Sequence, residues 1–268
     1  MIPKKIHYVW FSDEPYPPLI QKCLDSWKEK LPDYEIILWN RSNFDVHINS
    51  WCSQAFDAKK YAFVTDYARL YVLYHHGGIY MDVDVEVTRN YDSLLSDSAF
   101  TSFTAKPNMI QAETIGSEAG HEMIGKLLKY YETRNFINED GKYNQKTIDE
   151  IFYEIFSSEG LINNRLNQYV SNVHIYPPGY FLMSDDLFYL SYGEGTKYLK
   201  ETYSLHYAAG EWELVKNKFY LWMKKWYFDH FWFVVKVIRN PILFKLWQFV
   251  IRTFISREYH QAITTNSK

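Results

Sequence analysis

A chain of 268 residues that is 47% hydrophobic and 23% charged can bury a large core, which excludes an intrinsically disordered protein. Its two cysteines, Cys23 and Cys52, exclude a disulfide framework or a cysteine-built metal site and suit a reducing compartment. Net charge is only −3, but residues 216–257 hold nine Lys or Arg against the single acid Asp229; that segment is +8 and the remainder −11. Aromatic residues reach 19%, a share that suits either a Tyr-rich core or a binding surface.

In chain order, "KKIHYVWF" (4–11) alternates and predicts a strand. The opening "MIPKKIHYVWF" has no apolar run long enough for a secretory signal, so a cytoplasmic chain is expected. The proline-rich "DEPYPP" (13–18) reads as a loop. Residues 19–31 have helical spacing up to Pro32, and "YEIILW" (34–39) reads as a second strand. Apolar positions over 55–76 predict one helix, stopped by Gly77 and Gly78. A short buried strand follows at 78–81, with 85–88 as its continuation, then another at 99–104. Residues 121–133 and 145–158 predict helices, and 171–181 a strand entering a Pro-Pro-Gly turn. The alternation implies an α/β sheet. Ligands of such sheets sit beyond the carboxyl ends of the strands, where Trp10, Asp82 and Asp84 fall.

Asp82 and Asp84 leave a strand at i and i+2, where both carboxylates can face one small cation. Oxygen ligands suit Mg²⁺ or Mn²⁺, ions that bridge to phosphates. A bare D-x-D is equally a solvated turn. Upstream, "FVTDYARLY" puts Asp66 and Arg69 three apart on one helix face. They are either an ion pair of small energetic value or a pair that binds a sugar hydroxyl or phosphate. Gly77 and Gly78 either cap the helix or let backbone approach a ligand.

The order "PKKIHYVWF", "SWKEKLPDYEIILWN" and "TDYARLYVLYHHGGIYMDVDVEV", with "SLHYAAGEW" (204–212) later, resembles glycosyltransferase family 32, sugar transferases that carry a DXD motif. Two places depart from the family pattern: Glu211 stands where a Ser often precedes the Trp, and 141–152 lacks a Gly-Pro turn. The resemblance implies a GT-A fold, a nucleotide-sugar donor, a divalent metal (Mn²⁺ or Mg²⁺) and retaining hexosyl transfer. By position it implies that Val9, Trp10 and Phe11 line the base, and that Asp66 and Arg69 hold the donor sugar, with Gly78 and Tyr80 nearby. Asp82 would face the ribose and metal, Asp84 would ligate the metal, His206 would complete the site and Trp212 would close over the diphosphate. Gln111 would approach the far face of the anomeric carbon. Core packing is the alternative for Trp10 and Trp212, and a structural histidine for His206.

The expectation is a catalytic domain over 1–213 and a basic aromatic helical extension over 214–268. Residues 216–257 carry four Trp and seven Phe with the basic residues, and no uncharged run of spanning length. That composition suits an anionic membrane surface, or else a helical cap or oligomer contact. Nucleic acid is disfavoured because the body is acidic. The resulting reading is a peripheral enzyme at the inner face of the cell membrane. It moves a hexose or N-acetylhexosamine from a UDP-sugar to a lipid-linked oligosaccharide in capsular polysaccharide biosynthesis. A haloacid-dehalogenase-type phosphatase and a non-catalytic, metal-dependent sugar-binding module are the rivals.

Overall fold

The computed structural model describes residues 1–183 and 201–208. The chain opens with β1 (Lys5–Val9), α1 (Pro18–Lys30) and β2 (Glu35–Trp39). Helix α1 starts with proline, which suits a first turn where no N–H is needed, and buries Ile20, Cys23, Leu24 and Trp27. The run expected as one helix is two: α2 (Ser50–Asp57) and α3 (Tyr61–His76). Lys59 between them has φ +58°, the left-handed region that a right-handed helix cannot contain. The apolar period continues across the break because both helices pack on one core.

Strand β3 (Gly78–Met81) follows α3 directly, through Gly77 at φ +61°. The expected continuation at 85–88 is instead a strand of a different sheet. The chain turns over Asp82–Asp84, with the Val85 N–H donating to the Asp82 carbonyl at 3.1 Å, and β4 (Val85–Val87) departs from the line of β3. Then come β5 (Ala99–Ser102), β6 (Thr114–Ser117), α4 (Glu122–Glu132), α5 (Ile148–Ser158), β7 (Gln168–Val170), β8 (Val173–Tyr176), β9 (Phe181–Met183) and β10 (Ser204–His206).

Among the described residues, seven strands form one sheet in the order β2-β1-β3-β6-β5-β8-β7, with β6 and β7 antiparallel to their neighbours. Three more form a small sheet, β4-β10-β9. Successive residues of a strand point to opposite faces, so Tyr80 joins one core with α2 to α5, while Ile79 and Met81 join the other with α1 and the small sheet. The α/β expectation is met. The proposed boundary at 213, Trp212 and the extension over 214–268 lie outside the described residues. Among the described residues no helix is long and apolar enough to cross a membrane.

Candidate active site

Strands β1 and β3 run parallel with His7 opposite Tyr80, so Trp10 and Asp82 emerge at the same sheet edge. Strand β6 runs the other way, and Glu113, just before it, meets Asp82 there. The Asp82 N–H donates to the Glu113 carbonyl at 2.9 Å. Helix α3 brings Asp66 and Arg69 to this edge, both buried.

Arg69 is held on several sides. Nη1 donates to the Ala112 carbonyl at 2.8 Å, Nη2 donates to Asp66 Oδ1 at 3.1 Å, and Nη2 lies 3.5 Å from Asp82 Oδ1. Its guanidinium stands 4.9 Å from the centre of the Tyr80 ring, and the Tyr80 hydroxyl donates to Asp82 Oδ1 at 2.6 Å. Burial opposes the Arg69 charge, but Asp82, Tyr80 and Asp66 outweigh it and strengthen the cation. Burial pushes the Asp66 carboxyl up to about 7; Arg69 pulls it down, while Asp82 and Glu113 add to the rise. Glu113 is also raised, chiefly by burial. Arg69 is thus a fixed cation among more acids than it can neutralise.

The turn after β3 sends Asp84 toward the small sheet. There His206 pairs with Val85 across the β10–β4 ladder, and its Nε2 lies 3.0 Å from Asp84 Oδ1. The Tyr207 N–H donates to the Asp84 carbonyl at 3.0 Å. Trp27, fully buried, donates its indole N–H to the Val85 carbonyl at 2.6 Å and pins this turn to α1. Ligand atoms of Asp82, Asp84 and His206 all lie within 4.8 Å of one another. Burial would lower the His206 pKa, but Asp84, Glu113 and Asp82 raise it to about 10. The imidazolium sits where several acids call for a cation. Its Nδ1 is sealed from solvent with no hydrogen-bond partner. Two carboxylates and a ring whose Nε2 already faces one of them fit a divalent ion, which would take the place of the proton held there.

Val9 and Phe11 are core residues, whereas Trp10 is half-buried and donates to the Glu14 carbonyl at 3.2 Å. Gly78 stands at the far end of β3 from Asp82. A Cβ there would lie 2.8 Å from the Lys5 carbonyl and 3.0 Å from His7 Nε2. Close strand packing, not a ligand, accounts for this glycine. Gln111 is buried and accepts from the Ser102 hydroxyl at 3.3 Å, one residue from the carbonyl that holds Arg69. Glu113, Tyr131 and Asp149, whose charges or hydroxyls act on this site, escaped the sequence reading. They come from three elements with no shared spacing.

Residues 17–101 match the family described as a glycosyltransferase sugar-binding region containing a DXD motif. That stretch carries Asp66, Arg69, Asp82 and Asp84. Inositol phosphoceramide mannosyltransferase 3 of Schizosaccharomyces pombe is 30% identical over 135 residues, 48% of this chain and 36% of that protein. Mannosyl phosphorylinositol ceramide synthase CSH1 of Saccharomyces cerevisiae is 32% identical over 136 residues, 48% of this chain and 35% of that one. The chain therefore spans little more than a third of the length of these relatives. Among solved structures, glycosyltransferase GlyE of Streptococcus pneumoniae TIGR4 aligns with a TM-score of 0.46 at 13% identity, over 83% of this chain and 60% of that one. PaToxG glycosyltransferase gives 0.44 at 18%, over 59% and 70%.

Proposed function

We propose that this chain is a retaining, metal-dependent glycosyltransferase that moves a hexose or N-acetylhexosamine from a nucleotide sugar, a UDP-sugar first, to an acceptor at a lipid surface. The observation that carries the reading is the convergence of Asp82, Asp84 and His206 beside the locked Asp66–Arg69 pair. Acids beyond the carboxyl ends of β1 and β3 suit the GT-A arrangement that the resemblance implies.

Asp82, Asp84 and His206 would hold the ion, and Mn²⁺ suits the set better than Mg²⁺ because one ligand is imidazole. When bound, such an ion acts as a Lewis acid toward a departing diphosphate. Arg69 adds a preorganised positive charge that needs no reorientation. Asp66, with a carboxyl poised near 7, exchanges hydrogen bonds with a sugar hydroxyl. Trp10 offers a half-buried ring to the base, and Gln111 and Trp212 keep the roles given above. A phosphatase of the haloacid dehalogenase type leaves the Arg69 clamp without a task.

Two lines support a lipid acceptor. The relatives' names include inositol phosphoceramide mannosyltransferase, which also adds mannose to the sugars worth testing. The nine basic residues and the aromatic content of 216–257 suit an anionic membrane face. A lipid-linked oligosaccharide of capsular polysaccharide synthesis remains the acceptor proposed. The test is a screen of UDP-sugars and GDP-mannose for slow Mn²⁺-dependent hydrolysis. One donor should be cleaved, and EDTA should stop it. A chain that binds donors and leaves them intact is a binding module. For the membrane part, the intact chain should sediment with anionic liposomes and less so in high salt. Truncation after about residue 214 should weaken sedimentation and leave donor hydrolysis largely intact. An intact chain that ignores the liposomes defeats the membrane role.

A further inference from the structure

Behind the metal-facing carboxylates lies a group of polar atoms that the chemistry above does not use. Arg69 Nε, the Tyr131 hydroxyl and Asp149 Oδ1 are each sealed from solvent and accept or donate no hydrogen bond. Arg69 and Tyr131 are 5% and 0% exposed, while Asp149, in the first turn of α5, is half-buried as a residue. Helix α3, which carries Arg69, packs against α4, which carries Tyr131, and α4 packs against α5, which carries Asp149. Asp66, Arg69 and Asp149 all act on the Tyr131 hydroxyl, and Glu113, Arg69, Asp66 and His206 all act on the Asp149 carboxyl. Asp149 is held in place by its surroundings: Thr147 and Glu150 close a capping box around the start of α5, and the Ile110 N–H donates to the Asp149 carbonyl at 3.3 Å. That bond ties α5 to the segment carrying Gln111, Ala112 and Glu113.

Buried polar atoms are normally satisfied, so three orphans together mark the place of a missing partner. Their chemistry selects it. Burial, with Glu113 next, raises the Asp149 carboxyl well above its ordinary value; in either protonation state it keeps an oxygen that accepts, while Arg69 Nε–H can only donate and the phenol can do either. A hydroxyl both accepts and donates, so one hydroxyl can serve the arginine and the carboxylate together. An anion would have to share Arg69 with Asp82, whose Oδ1 already lies 3.5 Å from the guanidinium. A second cation would face Arg69.

We propose that Asp149, the Tyr131 hydroxyl and the Nε edge of Arg69 form a subsite that reads one hydroxyl of a neutral transferred sugar, with Asp149 setting the specificity. This rests on the glycosyltransferase reading above. A site built to hydrogen-bond a hydroxyl rejects the analogue that lacks it far more strongly than an apolar pocket rejects a changed methylene. Asp149 therefore discriminates between a sugar and its deoxy form.

The experiment uses the full chain with Mn²⁺, the donor that it hydrolyses, and the monodeoxy forms of that donor's sugar. Wild type should lose at least tenfold in kcat/KM on one monodeoxy donor and about threefold or less on the others. Asp149→Ala should lose at least tenfold on the parent donor and show no more than about a threefold further loss on that analogue. The near-isosteric Asp149→Asn retains an acceptor and should fall between; it carries the comparison if the alanine variant does not fold. Melting temperature and Mn²⁺ stoichiometry, measured for each variant, should match wild type. A wild type indifferent to every deoxy donor, or an Asp149 variant with the full wild-type preference, overturns the inference and leaves a buried water as the occupant. A wild type that neither hydrolyses nor binds any donor overturns the glycosyltransferase reading, and the inference with it.

Discussion

Among the described residues two buried histidine–aspartate pairs have almost equal distances, His206–Asp84 at 3.0 Å and His174–Asp97 at 2.9 Å. Their surroundings differ. His174 has both ring nitrogens engaged, Nδ1 with Asp97 and Nε2 with Asn167 at 2.8 Å. Its ring lies 4.3 Å from that of Tyr169 and 3.8 Å from that of Tyr176, and both tyrosine hydroxyls donate to Asp97. That pair is saturated. His206 engages one nitrogen, leaves the other sealed without a partner, and faces Asp82 and Glu113 as well. A saturated pair holds a fold together; an unsaturated one surrounded by further acids is built for something added. Distance alone does not separate the two; leftover bonding capacity does.

The two pairs should respond in opposite ways to loss of the aspartate. Asp84→Ala removes a charge from the proposed metal site and should lower donor turnover on the order of a thousandfold, about 4 kcal/mol of barrier, with Mn²⁺ binding lost. Asp97→Ala should do the reverse. It strands His174, Tyr169 and Tyr176 and should cost about 2–3 kcal/mol of stability, while turnover stays within a few-fold. Paired melting curves and donor-hydrolysis rates decide. Equal losses of turnover in both variants would erase the distinction.

His7 is a further buried histidine, and its ring nitrogens meet an indole and a carbonyl. Nδ1 accepts from the Trp39 indole N–H at 3.0 Å, so Nε2 carries the proton and donates to the Gly77 carbonyl at 2.8 Å. Burial lowers its pKa from 6.5 to about 4, where His206 moves up. The unfolded chain therefore takes up this proton first as pH falls. The contribution of neutral His7 is intact above about pH 6.5 and is lost progressively down to about pH 4, in total about 3 kcal/mol. Urea unfolding at pH 7 and at pH 4.5 should show the loss in wild type, and His7→Gln, which can still accept and donate, should show markedly less of it.

Much of the frame was legible because its signals are local. Strands β1 to β3 and helices α1 and α4 follow alternation, apolar period and punctuating Pro or Gly. The joint between α2 and α3 was not, because Lys59 breaks the backbone without breaking the apolar period. Strand β6 was not, because "TIGS" is buried on every residue and shows no polar alternation. The site divides the same way. Asp66, Arg69, Asp82 and Asp84 share one helix and the next turn, so their spacing speaks. His206 arrives from a strand more than a hundred residues later and was visible through resemblance only. Glu113, Tyr131 and Asp149 gather by sheet order and helix packing, which no spacing encodes.

Whether leftover bonding capacity is sufficient by itself can be tested at His174. Asn167→Ala removes the partner of His174 Nε2 and leaves a buried histidine–aspartate pair with one free nitrogen, as at His206. Loss of that one hydrogen bond should cost about 1 kcal/mol, seen as a small fall in melting temperature. If a free imidazole nitrogen beside one carboxylate were enough for a metal, the variant would take up a second Mn²⁺. It should not. At His206 the ligand atoms of two carboxylates converge with the ring, whereas Asp97 has no second acid in such a group among the described residues and spends its oxygens on two tyrosines. Mn²⁺ titration should therefore give one site in wild type and one in Asn167→Ala. A second site would mean that an unsaturated pair alone recruits metal, and that Asp82 is dispensable at the first.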